Sequence, residues 1–172
     1  MFKPATNLDE VINCIKKIIA DAIQNNNRAG YFASLYLKVT TSVKEGIDKR
    51  RFQNGSRMET LTVNFANRYL NSYDQWQKKE NLSACWKLAY QETEKSSVLI
   101  LEQLLLGMSA HINLDLGIAT VKTQHENGTA LQDIRNDFDA INSIIASLTY
   151  EAISELNKVS PFLSLLAMTG WS

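Results

Sequence analysis

Proline and glycine are scarce in this chain, with two and seven among 172 residues. That scarcity excludes collagen-like and low-complexity architectures and leaves room for long uninterrupted helices. Cysteine is scarcer still, at Cys14 and Cys85 only. Both sit in helical patterns without metal-type spacing, so they read as small buried hydrophobes and not as a disulfide, a zinc site or a thiol nucleophile. Excess charge is missing too: Lys plus Arg equals Asp plus Glu at 18 each. Net charge therefore gives no reason to expect nucleic acid or an anionic membrane as a partner, and Lys49-Arg50-Arg51 reads as a solvated helix end. The N-terminal MFKPATNLDEV lacks the apolar segment of a secretory signal, and no run reaches the roughly 18 apolar residues a membrane span requires. Those two absences predict a cytoplasmic chain without a membrane span.

What is present is helical periodicity over a composition that is 45% hydrophobic. Val11, Ile15, Ile18 and Ala22 form one apolar stripe over about 8–25, preceded by Asn7 as a capping residue and by acidic Asp9 and Glu10 in the first turn. Phe32, Leu35, Val39, Val43 and Ile47 give a second stripe, tolerating the β-branched run Val39-Thr40-Thr41 because packing overrides propensity. After the turn signal at Phe52–Ser56, a third stripe carries Met58, Leu61, Phe65, Tyr69 and Trp76, with Arg68 on its face. Arg68 either snorkels to water or meets a buried carboxylate, and snorkelling is the preferred reading. Trp86, Ala89 and Tyr90 open a fourth segment that either breaks near Ser96-Ser97 or runs on into the next. Beyond Gly128, a helix-stop glycine, Thr129 and Gln132 have capping-box spacing, and a last stripe runs from Ile134 to Val159 before Pro161. The pattern predicts an all-α, single-domain antiparallel bundle of five to six helices over residues 1–172. Residues 161–172 form an uncharged apolar tail, read as a truncated element or as an interface through which the chain forms a homo-oligomer.

The centre of that bundle is expected at about 98–121, where VLILEQLLLGMSAHINLDLGIATV is apolar almost all round and so belongs in the interior. Its second half carries His111, Asn113 and Asp115. Buried polar groups must be partnered, and His111 and Asp115 at i and i+4 share a face. Three readings follow. In the first, His111 and Asp115 ligate a divalent metal, completed by Asp133, Asp137, Asp139, Asn142 or His125 and used for metal-assisted hydrolysis. In the second, Asp115 orients His111 as a general base toward water or a hydroxyl of Ser109, Thr40 or Tyr36. Both make His111 and Asp115 the catalytic pair of a small-molecule pocket, with Asn113, Tyr36, Arg68, Asp137 and Asn142 as ligand-binding residues. In the third, the polar groups are a buried hydrogen-bond network in a non-catalytic interaction or structural module. Gly107 and Gly117 fit all three readings, since a glycine within a helix is best explained by close approach or by space for a ligand. Trp76, Trp86, Tyr36 and Tyr69 read as core rather than as a cofactor box.

The string Leu106-Gly107-Met108-Ser109-Ala110-His111-Ile112-Asn113-Leu114-Asp115-Leu116, with Asp137-Phe138-Asp139-Ala140-Ile141-Asn142 after it, resembles the bacterial DUF5995 family of uncharacterised helical proteins. Leu35-Tyr36, Val39-Thr40 and Phe65-Ala66-Asn67-Arg68-Tyr69-Leu70 are also similar, which extends the resemblance over about 30–160. It implies a helical fold and a polar pocket, and no reaction.

Overall fold

The computed structural model describes residues 3–159 other than 96, 129 and 130; within the last helix the side chains of a minority of positions, Asp133 and Asp137 among them, are outside the described set. The described residues contain helices and no strand. Six helices follow one another: α1 Leu8–Gln24, α2 Ala29–Asp48, α3 Gly55–Gln77, α4 Ala84–Thr93, α5 Ile100–Asn127 and α6 Leu131–Val159. The helix count and class are those expected from periodicity.

Local chemistry accounts for the boundaries. Asn7 caps α1 by accepting from the Glu10 N–H at 2.9 Å, which satisfies one orphan donor of the helix start, while the Glu10 carboxylate accepts from Thr6 N at 2.7 Å and ties the preceding residue to the first turn. Asn54 caps α3 in the same way, accepting from Arg57 N at 3.0 Å. The segment after Thr93 does break before α5. There Arg28 donates to the carbonyls of Lys95 and Val98, both at 2.9 Å, and the Glu102 carboxylate accepts from Leu99 N at 2.9 Å, so α5 starts with its exposed backbone groups held. Gly128 ends α5 in the left-handed conformation at φ 61°, as a stop glycine should. The Thr129 capping residue lies outside the described residues.

The inward stripes pack as periodicity places them. Val11, Ile15 and Ile18 of α1, Phe32, Ala33 and Val43 of α2, Met58, Leu61, Tyr69 and Leu70 of α3, and Trp86 of α4 are all buried. Thr40 returns its hydroxyl to the Tyr36 carbonyl at 2.9 Å, which lets a β-branched polar residue sit fully buried in α2. Cys14 and Cys85 are free but only half-buried, so they pack on the core's edge and not within it. α5 packs its first half on α4 and α2 and its second half on α3; α6 lies on α2.

α5 corrects one expectation. By length and composition alone it is a helix that could cross a membrane, because Ser109, His111, Asn113 and Asp115 interrupt an apolar run in which charged side chains stay few. Of its most apolar window 44% is buried against the rest of the bundle, so that surface has protein neighbours. The apolar tail at 161–172 lies outside the described residues.

Candidate functional site

α5 is not a uniform helix. At His111–Asp115 it widens into a single π turn, in which the Leu116 N–H reaches back to the His111 carbonyl, five residues away. Such turns are rare inside α-helices and concentrate where side chains must be re-aimed. The turn coincides with the polar cluster in the sequence.

Within it, His111 and Asp115 are buried, at 3% and 1% exposure. The Asp115 carboxylate accepts three hydrogen bonds: from Arg68 Nε of α3 at 2.7 Å, from Trp86 Nε1 of α4 at 2.8 Å, and from His111 Nδ1 at 3.1 Å. One carboxylate thereby ties α3, α4 and α5 together. Burial pushes the Asp115 carboxyl up, but its hydrogen bond and charge interaction with His111, then the bonds from Arg68 and Trp86, outweigh burial and hold it below the ordinary carboxylate range. Asp115 is therefore the ionised acceptor in each bond. Arg68 does not simply snorkel: its side chain is 37% exposed, with Nε on the buried carboxylate.

Because Asp115 can only accept, the neutral imidazole carries its proton on Nδ1 and its lone pair on Nε2. Burial lowers the His111 pKa, Asp115 opposes that shift, and the Arg68 charge adds to it, so the ring is neutral at physiological pH. Phe65 stacks on the imidazole with centroids 3.6 Å apart and planes 4° apart, and Tyr36 meets its edge at 4.7 Å and 86°. Among the described residues no group bonds Nε2, and the buried Tyr36 and Tyr69 hydroxyls are also without a hydrogen-bond partner there. Burial pushes both phenols well above their usual pKa, so they stay protonated.

His111 forms part of the wall of a half-enclosed, almost wholly apolar cavity of about 30 Å³. Phe32, Leu35, Tyr36 and Val39 of α2, Phe65 of α3, Met108 and Ile112 of α5 and Ile145 of α6 complete it. A water needs about 10–15 Å³ by this measure, so the space holds a water or the end of a larger molecule. Gly107 serves close approach: a Cβ there would lie 2.7 Å from the Phe32 ring. At Gly117 nothing lies within 4 Å, so that glycine faces open space.

The residues expected at the site divide clearly. His111, Asp115, Arg68 and Tyr36 converge. Asn113 does not: it is exposed and donates to Ser109 Oγ at 2.9 Å. Two positions along a helix is a rotation of about 200°, which turns it away from His111. Asn142 is likewise exposed, one position past the buried Ile141. The Asp137 side chain lies outside the described residues, as does that of Asp133. His125 and Asp139 are exposed. Among the described residues no three His, Cys, Asp or Glu side chains gather to hold a metal. Both Asp115 oxygens are already bonded by N–H groups, one of them cationic, so a metal ion there would face the Arg68 charge. The metal reading is accordingly not carried forward. Trp86 is the partner that the sequence reading assigned to packing alone. The available signal was chemical: a buried indole N–H requires an acceptor.

The fold and this cluster define an all-helical bundle built around a buried Arg–Asp–His–Trp network beside an apolar cavity. Residues 8–170 match DUF5995, a family of unknown function, and the chain belongs to it. No curated protein and no solved structure matches the chain.

Proposed function

We propose that the cavity beside His111 binds a small, neutral, largely apolar molecule carrying one hydrogen-bond donor, and that His111 Nε2 is the acceptor. The observation that carries this reading is the Nε2 lone pair, buried, fixed in tautomer by Asp115 and left without a protein partner on a residue that borders the cavity. A buried polar atom without a partner costs about 1–3 kcal/mol, and a ligand donor would recover it. The walls offer no free charge, since the Arg68 Nε and both Asp115 oxygens are spent on each other and on Trp86 and His111. Charged ligands are therefore disfavoured by desolvation. When the donor is a hydroxyl, the same dyad can take its proton, with Asp115 stabilising the imidazolium that forms, which is general-base chemistry of the hydrolytic kind.

A second reading has its own observation. Asp115 joins three helices, so the network also serves as a structural lock. The two are separated by titrating the ¹⁵N-histidine-labelled protein with phenol and with toluene. The chain has two histidines, and exposed His125 acts as internal control. Phenol should shift the His111 Nε2 resonance saturably while toluene does not. If neither shifts it, or both shift it equally, the binding reading is wrong and the lock alone stands.

A further inference from the structure

A polar cleft opens where the starts of α1 and α3 meet the end of α5, and it shares no lining residue with the His111 cavity. Its volume is about 440 Å³. Glu59 and Glu126 put two carboxylates on its wall, no lysine or arginine lines it, and Thr6, Ser56 and Thr60 add hydroxyls. Acidic residues at a surface need no ligand, because water solvates them. Asn64 is different. It is 7% exposed in α3, and its amide nitrogen donates to Oγ1 of the fully buried Thr123 at 3.0 Å and to Glu126 Oε2 at 2.7 Å. These acceptors fix the orientation of the amide, since the flipped form would set Oδ1 against the Glu126 carboxylate. Oδ1 is then left without a partner among the described residues, on a residue that lines the cleft.

The cleft thus offers hydrogen-bond acceptors and charge of one sign. Backbone donors at the start of α1 are already taken, the Glu10 N–H by Asn7 at 2.9 Å and the Leu8 N–H by Glu59 Oε1 at 3.4 Å. Lys122 approaches only Glu126 Oε1, at 3.7 Å and from a side chain 57% exposed, and a solvated pair of that kind neutralises little. Glu59 and Asn64 are separated by a rise of about 7.5 Å along α3, with the buried Val63 on the cleft wall between them. We propose that this cleft binds a short aliphatic diamine, with one ammonium on Glu59, the other shared by Glu126 and Asn64 Oδ1, and the methylenes over Val63. Two cationic ends match two carboxylates, and the hydroxyls beside Glu59 accept the remaining ammonium N–H groups. Among the described residues no third acidic or histidine side chain joins the two carboxylates, which favours an organic cation over a metal ion.

The test titrates the intact ¹⁵N-labelled chain with 1,4-diaminobutane, n-butylamine and magnesium chloride at constant ionic strength, and follows the side-chain amide resonances of Asn64. Diaminobutane should shift them saturably, with an affinity about fivefold or more above that of butylamine. In Glu59→Gln, whose amide oxygen can still accept from the Leu8 N–H, that preference should fall to near unity with the helical circular dichroism unchanged. Glu126→Gln keeps an acceptor for Asn64 and should weaken diaminobutane by a similar factor. Absence of a saturable shift, equal affinities for the two amines, or a preference that survives in folded Glu59→Gln overturns the proposal. Tighter binding of magnesium than of diaminobutane overturns it in favour of a metal site. The comparison of the two amines in the parent protein needs no variant and decides the matter if Glu59→Gln does not fold.

Discussion

Asp115→Asn is the perturbation that probes the site most directly. The substitution keeps shape and removes the charge. Arg68 cannot accept a hydrogen bond, so the asparagine oxygen stays on Arg68, and the amide nitrogen takes the place of the oxygen that now accepts from both Trp86 Nε1 and His111 Nδ1; it loses the Trp86 bond and must donate to His111 Nδ1, 3.1 Å from the present carboxylate oxygen. The imidazole then has to move its proton to Nε2. Hydrogen bonds to a charged group are each worth about 1.5–3 kcal/mol, and removing one partner of a buried pair costs about 3–5 kcal/mol. Arg68 is 37% exposed, so water recovers part of its charge interaction and the upper end does not apply. The expected loss is about 2–3 kcal/mol, which for a chain of this size lowers Tm by about 5–10 °C. Urea unfolding and calorimetry measure the loss, and long-range ¹⁵N–¹H spectra of the two histidines report the tautomer. Phenol should lose its acceptor and cease to shift His111. A variant within about 0.5 kcal/mol of the parent, with His111 still protonated on Nδ1, would refute the account of the network.

The remaining expectations are shorter. Trp86→Phe keeps the ring packing but deletes the Nε1 donor 2.8 Å from Asp115, and should cost about 1–2 kcal/mol while raising the Asp115 pKa, read by carboxyl ¹³C titration. Gly107→Ala gains about 1 kcal/mol in helix propensity, yet its Cβ would meet the Phe32 ring at 2.7 Å. Phe32 is held against Tyr36, Tyr69, Trp86 and His111, so overpacking should win and the variant should unfold at lower urea. The pH dependence has one sign for both titrating groups. His111 is held below its unfolded value of about 6.5, so the unfolded chain takes up that proton first and stability falls as pH drops below about 6.5. Asp115, also held below its unfolded value, adds a further loss below about pH 4. Urea midpoints measured from pH 8 down to about pH 2.5 should decline in two steps, and His111→Gln should abolish the first.

Much of the fold was legible in the residues. Apolar stripes at helical spacing placed α1, α2 and α3, and Asn7 and Gly128 marked ends, because those signals are local and one helix face must be buried whatever it meets. The pairing of His111 with Asp115 was legible for the same reason. Asn113 shares the polar stretch with them although periodicity alone turns it outward, and the sequence leaves Arg68 between water, the preferred reading, and a buried carboxylate, because nothing in its own helix shows what lies opposite. Trp86 gave no sign of its polar role beyond the general need of a buried indole for an acceptor.

The sequence by itself therefore determined that this protein is a helical bundle with a histidine and an aspartate on one face of its most apolar helix. Tertiary structure decided what that face became. Arg68 lies 47 residues and Trp86 29 residues from Asp115 along the chain, and only packing of α3 and α4 on α5 brings their N–H groups to one carboxylate. The same packing leaves Nε2 of His111 without a partner among the described residues and His111 at the edge of an apolar cavity, because the neighbours that α2 and α3 supply there are the rings of Phe32, Tyr36 and Phe65 and offer the imidazole no hydrogen bond.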